Sequence, residues 1–346
     1  MLSLEPYGLV VCQAKKGLLM KAMLCESFGP LENVLWKDID DPVLTPDKVR
    51  VRIYASSIGF MDALMLKGLY QLKPPLPYVP GACGAGEVIE VGSQVRNIHV
   101  GDRVSFLNYF GAFAEQIVTD EASIVVLPPS MSYEQAATYR LSYNPAYLGL
   151  VYRANLQPGE TLLVTGASGG VGLAAVRLGK VLGARVIGAI GTAEKESVVR
   201  QAGADEIVNY NQAAPLREQV KELTNGKGAD VILDVVGGDV FDECMRCLNF
   251  MGRIIVMGFT SGRIAEAKTN LVLLKNASIL GVFLGGWMTR DLEGLKKLNH
   301  DLLRLAEDGK IPAIITNRFQ MHEAVLAMDT LLSRKTVGKI VLENRF

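Results

Sequence analysis

The hydrophobic and polar positions divide the chain into two parts with different periodicities. Between residues 21 and 126, short stretches alternate apolar and polar side chains, as residues 49–54 do, and glycines and prolines separate these stretches. Alternation with a period of two is typical of half-buried β-strands. Short strands with this punctuation predict a compact β-barrel or sandwich for the first part of the chain.

From about Pro158 the pattern changes to buried strands that alternate with amphipathic helices. The predicted strands cover residues 161–165, 185–190, 206–210, 229–236, 252–259 and 278–284, and the predicted helices cover residues 173–182, 193–202, 216–223 and 240–248. Such alternation is typical of a parallel sheet with helices on both faces. The second part is therefore predicted to be a doubly wound α/β domain.

The end of the chain returns to a different pattern, with a helix predicted at residues 322–332 and a strand at residues 338–342. A single strand after the parallel sheet has its natural partner in the first, β-rich part. We therefore expect residues 20–145 and 308–346 to form one domain, with the doubly wound domain, residues 146–307, inserted into it. Residues 1–19 are interpreted as an extension of unknown role.

Charge and composition narrow the class of protein. The 346 residues contain 36 Lys and Arg and 36 Asp and Glu, and a net charge of zero argues against a nucleic-acid-binding surface. Uninterrupted apolar runs stay below the roughly 18 residues that a membrane helix requires, so no membrane association is predicted. Five cysteines are too few and odd in number for a disulfide framework. A reducing compartment is favoured, the cytoplasm first, with the mitochondrial matrix left open.

The strongest chemical signal is a glycine-rich turn between the first predicted strand and helix of the second part. Its residues are Ala167, Ser168, Gly169, Gly170, Val171 and Gly172. This is the dinucleotide fingerprint with alanine in the first glycine position. Gly169 lets the backbone approach a pyrophosphate, Gly172 permits close helix–strand packing, and the helix N-terminus favours the phosphate charge. The turn predicts a bound dinucleotide.

The residues after the second strand of this part predict NADPH rather than NADH. An NAD site usually has Asp or Glu at this point, whereas here Gly191 is followed by Thr192 and Lys195. Tyr210 ends the next strand and adds a hydroxyl group. An acid would repel a 2′-phosphate, whereas lysine and hydroxyl groups attract it.

No metal site is predicted from the sequence. The three histidines, His99, His300 and His322, are far apart, and only one Cys-x-x-Cys pair, Cys244 and Cys247, is present. A tetrahedral zinc site needs four ligands at defined spacing. The pair falls in a predicted helix, where structural packing is the better interpretation.

Further motifs along nearly the whole chain resemble one family. They lie at residues 68–70, 74–77, 80–81, 100–104, 111–115, 166–172, 191–195, 208–210, 235–238 and 338–341. From Met20 the chain resembles the zinc-independent quinone oxidoreductases (zeta-crystallin-like) of the medium-chain dehydrogenase/reductase superfamily, and residues 236–241 and 273–276 resemble the quinone oxidoreductase-like protein 2 branch.

The resemblance implies a GroES-like β-barrel with an inserted Rossmann domain, a homodimer, and NADPH as cofactor. It also implies direct hydride transfer to a small electrophilic acceptor, a quinone or an α,β-unsaturated carbonyl, without zinc. By resemblance the cofactor site also includes Val236, Gly258, Phe259, Phe283 and Lys339. Tyr70 matches a tyrosine that faces the substrate in the family, and Asp62 matches a family aspartate. Both are candidate catalytic residues.

The chain departs from the family where the acceptor is expected. The family motif Asn-Phe-x-Asp begins with Gly59 here instead of asparagine. A second position where the family has tyrosine is Leu64, and the motif Pro-Gly-x-Glu ends in Cys83 instead of glutamate. Before the second domain, Arg140 and Pro145 replace the family's proline and threonine. Two alternatives therefore stay open, an enoyl-thioester reductase and a non-catalytic NADPH-binding or regulatory protein.

The homodimer is expected to form at the apolar strand 278–284, predicted to be an edge strand.

Overall fold

The structure is a computed structural model that describes residues 14–333 and 336–346. Its contacts divide these residues into two compact units. Unit 1 contains the chain up to Leu141, Thr289–Glu293 and Ala313–Phe346, and unit 2 contains Ser142–Met288 and Gly294–Pro312. Most of the predicted N-terminal extension lies outside the described residues.

Unit 1 is built mainly of β-strands. Its strands are β1 (Ala14–Cys25), β2 (Val34–Pro42), β3 (Lys48–Ile58), β4 (Cys83–Val91), β5 (Arg103–Leu107), β6 (Gln116–Asp120), β7 (Ile124–Val126), β14 (Ile315–Gln320) and β15 (Lys339–Glu343). Its helices are α1 (Phe60–Leu66) and α10 (Ala324–Leu332), together with α2 (Tyr133–Tyr147) as far as Leu141. The strands β1 and β2 form an antiparallel pair of their own.

The larger sheet of unit 1 has the order β14-β15-β3-β4-β5-β7, and β6 also pairs with β3. Residues of β3 that point inward, among them Val49, Val51 and Ile53, are fully buried because the strand alternates between core and surface. The C-terminal strand β15 pairs antiparallel with β3, with Ile340 opposite Ile58. The predicted return of the last strand to the first, β-rich part is therefore confirmed.

Unit 2 is a single parallel sheet with helices between its strands. The strands are β8 (Thr161–Val164), β9 (Arg185–Ile190), β10 (Glu206–Asn209), β11 (Ala229–Asp234), β12 (Leu248–Val256) and β13 (Ser278–Gly281). The helices are α3 (Gly170–Val181), α4 (Glu196–Gln201), α5 (Leu216–Leu223), α6 (Gly238–Cys247), α7 (Thr269–Lys275), α8 (Leu284–Met288) and most of α9 (Leu292–Glu307), and a π-helical segment (Leu148–Arg153) follows α2.

The strand order of unit 2 is β10-β9-β8-β11-β12-β13, and every neighbouring pair is parallel. The chain starts at β8, extends to one side as far as β10, and then resumes on the other side of β8 with β11. In such doubly wound sheets a ligand binds at the carboxyl ends of the strands, where the order reverses. The predicted doubly wound domain is confirmed, and the reversal lies between β8 and β11.

Two predicted strands differ from the observed strands by three or more residues at one end or both. The strand predicted at 278–284 ends at Gly281, because the chain enters α8, where the N–H of Trp287 donates to the carbonyl of Phe283. The strand predicted at 252–259 begins at Leu248 and ends at Val256. Met251 has a positive φ of 60° inside this strand, an irregularity that no apolar pattern indicates.

Within the described ranges, no helix combines the length and the apolar character that crossing a membrane would need. The apolar residues of unit 2 instead fill the space between the sheet and its helices, where side chains such as Leu163, Ile232 and Phe241 are buried. The apolar runs noted in the sequence are thus core strands and core-facing helix positions.

Candidate functional site

The loop between β8 and α3 is a glycine turn whose shape excludes side chains at two positions. Gly166 has a φ of 58°, and a Cβ there would lie 2.7 Å from Cγ2 of Val235. A Cβ at Gly172 would lie 2.2 Å from the carbonyl oxygen of Gly166. Both positions therefore require glycine, and the first turn of α3 packs directly against the end of β8.

The N-terminus of α3 is shaped to accept an anion. Gly169 is its N-cap residue and provides no side chain to accept hydrogen bonds from the first-turn N–H groups, which begin with Gly170 and Val171. Gly169 is exposed, whereas Ala167 and Ser168 are buried. Because helix N-termini bind phosphates through these N–H groups, the turn fits the pyrophosphate of a dinucleotide.

A buried polar network joins the ends of β8 and β11, where the strand order reverses. Thr165 Oγ1 donates to Asp234 Oδ1 at 2.6 Å, and the N–H groups of Val236 and Gly237 donate to the same carboxylate at 3.0 and 3.1 Å. Burial raises the pKa of Asp234, although these hydrogen bonds oppose the shift. The network fixes the turn after β11. The hydrogen-bond network was not predicted from the sequence, although polar residues at the ends of two buried strands were a visible signal.

The carboxyl end of β9 has no room for an acidic side chain. A Cβ at Gly191 would lie 3.0 Å from the hydroxyl oxygen of Tyr210, and Asn211 Nδ2 donates to the Gly191 carbonyl at 2.9 Å. Thr192 and Lys195 follow on a short 3-10 turn, Thr192 exposed and Lys195 partly exposed. The structure thus brings together the four residues predicted to select the 2′-phosphate.

Four more predicted cofactor residues lie along the same carboxyl edge of unit 2. They are Val236 after β11, Gly258 and Phe259 after β12, and Phe283 after β13. A Cβ at Gly237 would lie 2.8 Å from Cδ1 of Phe259, so the phenyl ring covers the turn that the Asp234 network holds. Each predicted residue in unit 2 therefore lies at the edge where a doubly wound sheet binds its ligand.

In unit 1, the predicted catalytic residue Asp62 is almost fully buried, with 2% of its surface exposed. Its Oδ2 accepts a hydrogen bond of 2.7 Å from the N–H of Gly59, while Oδ1 has no hydrogen-bond partner among the described residues. Burial raises the pKa of Asp62 to about 6, against the opposing effects of the Gly59 hydrogen bond and the charge of Lys339. Asp62 is therefore a proton-binding group close to neutral pH.

Lys339, predicted as a cofactor residue, lies on β15 in unit 1 and is partly buried. Its Nζ donates a hydrogen bond of 2.8 Å to the carbonyl of Ile58. Burial lowers the pKa of Lys339 to about 8, and the charge of Asp62 opposes this shift. The amine is thus bound to the main chain of its own unit, and its role towards a cofactor stays a prediction.

Tyr70, the other predicted catalytic residue, belongs to a small apolar cluster outside the main core of unit 1. Met65 and Leu72 are its buried members, and Met61, Tyr70, Tyr109 and Phe110 pack around them partly exposed. A half-buried tyrosine on an apolar surface presents one polar group, its hydroxyl. This arrangement suits an aromatic or enone ligand, whose carbonyl oxygen would accept that hydrogen bond.

Three of the family departures, Gly59, Cys83 and Arg140, lie in the interior of unit 1. A Cβ at Gly59 would lie 2.7 Å from Cδ2 of Leu141, so Leu141 occupies the space that a longer side chain at this position needs. Cys83 is fully buried, and burial raises its pKa to about 11. Arg140 is also fully buried. Its Nη1 donates to the carbonyls of Ser105 and Ser123, whereas Nε and Nη2 find no partner among the described residues.

Among the described residues, the side chains that could bind a metal are not grouped as a metal site requires. Across residues 14–333 and 336–346, no three His, Cys, Asp or Glu side chains are grouped so that they could hold an ion. Cys244 and Cys247 lie buried on α6, as packing residues of the core, and burial raises the pKa of Cys247 to about 12. Thiols with raised pKa values are poor metal ligands because the thiolate is the binding form.

Two family models match the chain. One, described as alcohol dehydrogenase GroES-like domain, matches residues 45–129, and the other, described as zinc-binding dehydrogenase, matches residues 170–299. The first falls in unit 1 and the second in unit 2, apart from residues 289–293. The description of the second model names zinc, for which the described residues supply no ligand set.

Curated relatives and solved structures agree with these models. The chain is 39% identical over 329 residues to a quinone oxidoreductase-like protein 2 homolog of Nematostella vectensis, a match that covers 94% of this chain and 89% of the relative. It is also 39% identical over 298 residues to quinone oxidoreductase-like protein 2 of Mus musculus, covering 86% of this chain and 85% of that protein.

Among solved structures, the Escherichia coli quinone oxidoreductase complexed with NADPH matches with a TM-score of 0.86 at 30% identity, and the match covers 94% of this chain and 99% of that one. The predicted fold class, a Rossmann-type sheet with a GroES-like domain, is confirmed by the models and by this likeness. The resemblance seen in the sequence motifs is confirmed as well: the chain belongs to the quinone oxidoreductase-like oxidoreductases of the medium-chain dehydrogenase/reductase superfamily.

Proposed function

We propose that the protein is an NADPH-dependent, zinc-independent reductase that transfers a hydride to a quinone or an α,β-unsaturated carbonyl. The observation that carries the proposal is the carboxyl edge of unit 2, where the glycine turn, the open N-terminus of α3 and the acid-free end of β9 lie on neighbouring strands. Relatives named quinone oxidoreductase, one of them solved with NADPH, support the same chemistry.

The residues present fit NADPH better than NADH. The α3 N-terminus binds the pyrophosphate, while Thr192, Lys195 and the Tyr210 hydroxyl surround the 2′-phosphate. With Tyr210 packed on Gly191, no carboxylate reaches the ribose from that position. When bound, NADPH supplies the hydride.

The acceptor is activated by hydrogen bonding and positioning, since the described residues contain no group of side chains that could hold a metal ion. Tyr70 donates a hydrogen bond to the acceptor oxygen on which negative charge develops, and the surrounding apolar cluster excludes water from that oxygen. Asp62 is buried behind this surface and contacts the main chain, so its part is to position this region.

The test is equilibrium titration with NADPH and with NADH, followed by an assay of NADPH oxidation with three acceptor classes: quinones, enones and enoyl thioesters. We expect tighter binding of NADPH and oxidation with quinones or enones. Equal affinity for both nucleotides contradicts the cofactor assignment. Oxidation with thioesters alone supports the enoyl-thioester reductase.

A non-catalytic NADPH-binding protein is the second candidate. The packing of Leu141 against Gly59 favours it, because the amide that relatives place there has no room in this chain. Binding of NADPH without oxidation by any of the three acceptor classes would establish this candidate.

We also propose a homodimer in which the edge strand β13 pairs with a second copy of itself. β13 is the last strand of its sheet, and the nearby side chains of Leu273, Leu274 and Ile279 are exposed. An apolar edge with unpaired main-chain groups invites pairing about a two-fold axis. Light scattering that gives the mass of one chain contradicts this proposal.

A further inference from the structure

Two charged side chains hold the same peptide group, the one that joins Ile58 to Gly59. On one side, Lys339 Nζ donates to the Ile58 carbonyl at 2.8 Å. On the other side, the Gly59 N–H donates to Asp62 Oδ2 at 2.7 Å. Because a carbonyl and the next N–H belong to one planar unit, the cation and the carboxylate together fix the orientation of that plane.

This arrangement is placed where β3 ends and α1 begins. Ile58 is the last residue of β3, Gly59 is the N-cap of α1, and Asp62 lies in its first turn. A carboxylate that accepts from the N-cap N–H stabilises a helix start. Lys339 reaches the same point from β15, the neighbour of β3 in the sheet. The start of α1 is therefore tied to β15, an element distant in sequence.

The position of α1 determines the position of Tyr70. α1 is only seven residues long, and the chain after it folds back onto its own turn. The N–H groups of Leu69 and Tyr70 both donate to the carbonyl of Leu64, at 2.8 and 3.2 Å. A displacement of Gly59 would therefore move α1 and, with it, the phenol ring of Tyr70.

The charges around the pair make Asp62 the anionic partner of Lys339. The groups that face the two residues from other elements are Cys83 on β4, Tyr78 in the segment before β4, and Arg140 on α2, which acts on Cys83. Burial raises the pKa values of Cys83 and Tyr78, so both are neutral near pH 7. With a neutral thiol at Cys83, the carboxylate of Asp62 is left to balance the lysine charge.

We propose that Asp62 and Lys339 are positioning residues for the acceptor: they hold the peptide group between Ile58 and Gly59 from both sides and thereby fix α1 and Tyr70. The proposal rests on the proposed function for its effect on turnover, but the clamp itself is a property of unit 1. Both residues carry their charge between about pH 6 and about pH 8, so in that interval a carboxylate and an ammonium group hold the peptide group.

The experiment compares variants that remove the clamp with variants that preserve part of it. Asp62→Ala and Lys339→Met remove one hydrogen bond each, whereas Asp62→Asn and Lys339→Arg keep an acceptor and a cation. The control pair is Asp38→Asn and Lys21→Gln, which removes an exposed ion pair of 2.8 Å in the same unit. The measurements are hydrogen exchange of the segment 58–70, the Kd of NADPH, and kcat and KM for the acceptor.

We expect at least tenfold faster exchange in the segment 58–70 for Asp62→Ala and Lys339→Met. For the acceptor we expect kcat/KM to fall about 10- to 100-fold, mainly through kcat, and for Asp62→Ala we expect the Kd of NADPH to stay within twofold of wild type. The conservative variants recover part of the loss, and the control pair changes neither quantity.

Unchanged exchange and unchanged kcat/KM in both removal variants overturn the proposal. If these variants do not fold, Asp62→Asn and Lys339→Arg decide, and wild-type exchange and wild-type kcat/KM in both of them overturn it. If the wild-type protein oxidises NADPH with no acceptor, the proposed function fails. The hydrogen-exchange result then still decides whether the clamp exists.

Discussion

The proposed nucleotide preference rests on single residues at the end of β9. Lys195 and Thr192 stand on the turn that follows Gly191, and Tyr210 packs over that glycine. A lysine that pairs with a phosphate forms a charge-assisted hydrogen bond, which contributes about 1.5–3 kcal/mol. The proposed preference for NADPH over NADH therefore depends mainly on the Lys195 side chain and on the absence of an acid at Gly191.

Replacing Lys195 by glutamate tests this assignment. We expect Lys195→Glu to weaken NADPH binding about 10- to 100-fold and to leave NADH binding nearly unchanged, because only NADPH carries the 2′-phosphate. The exposed Lys227 of the same unit supplies the matched control, Lys227→Glu, which makes the same charge change elsewhere. Fluorescence titration measures both constants. Full NADPH affinity in Lys195→Glu contradicts the phosphate site.

Asp62 gives a pH-dependent contribution to stability whose sign follows from its burial. The pKa of Asp62 rises from the usual 3.8 to about 6 on folding. Between about pH 4 and about pH 6 the folded chain therefore binds the proton more tightly than the unfolded chain does. Stability from this group is therefore present below about pH 4 and is lost as the pH rises through about 6. The loss is on the order of 3 kcal/mol.

The variant Asp62→Asn lacks this titration. We expect its free energy of unfolding, relative to wild type, to increase as the pH rises from 4 to 7, as measured by urea denaturation at several pH values. The control Asp38→Asn removes an exposed carboxylate and leaves the profile close to that of wild type. A constant difference between Asp62→Asn and wild type across this range contradicts the raised pKa.

The pair of Gly59 and Leu141 makes a prediction about the acceptor side. Gly59→Asn alone forces a Cβ to within 2.7 Å of the Leu141 side chain, so we expect a loss of about 1–3 kcal/mol of stability. The double variant with Leu141→Ala removes the overlap and is expected to recover most of that loss in thermal melts. Equal destabilisation by Gly59→Asn with and without Leu141→Ala shows that Leu141 does not fill this space.

At the level of elements, the glycine turn of β8 and α3 separates a packing role from a binding role. A Cβ at Gly172 meets main chain at 2.2 Å, whereas a Cβ at Gly169 has its nearest neighbour, the Gly166 carbonyl oxygen, at 3.5 Å. Gly172→Ala is expected to destabilise unit 2 by about 1–3 kcal/mol. Gly169→Ala is expected to fold normally and to weaken NADPH binding, because the added methyl group stands beside the pyrophosphate.

Calorimetry and NADPH titration of these two variants provide the check. Equal melting temperatures for Gly172→Ala and Gly169→Ala contradict the packing argument. Full NADPH affinity in Gly169→Ala contradicts the proposed place of the pyrophosphate.

Most strands of unit 2 were predictable because they are apolar runs between turn residues, whereas the helices α7 and α8 were not predicted from the sequence. Helix α5 has the predicted bounds, Leu216–Leu223, since its apolar positions keep a helical spacing between Pro215 and Thr224. The end of β13 was not predictable, because residues 282–284 are apolar and begin α8 through hydrogen bonds that no pattern encodes. Element α2 was missed, since Pro145 inside it reads as a helix break.

In the candidate site, too, some features could be predicted from the sequence and others could not. Residues 166–172 form a local motif in which spacing alone defines the turn, so the sequence was sufficient. The contacts of Lys339 with Ile58 and of Leu141 with Gly59 join positions that are 281 and 82 residues apart in the chain. Such pairings depend on tertiary packing, and one sequence without relatives contains no signal for them.

For the whole molecule, the account combines a dinucleotide site on unit 2 with an acceptor surface and a buried charge pair on unit 1. Each feature follows from residues within its own unit, and the proposed activity requires both. The balanced charge of the chain, with 36 acidic and 36 basic residues, places the cation for the phosphate locally at Lys195 rather than over a broad surface.

The most direct measurement is the rate at which the purified protein oxidises NADPH in the presence of a quinone, compared with NADH under the same conditions. The account predicts oxidation that depends on the quinone, with kcat/KM at least tenfold higher for NADPH than for NADH. Tight NADPH binding with no oxidation by quinones, enones or enoyl thioesters would contradict it.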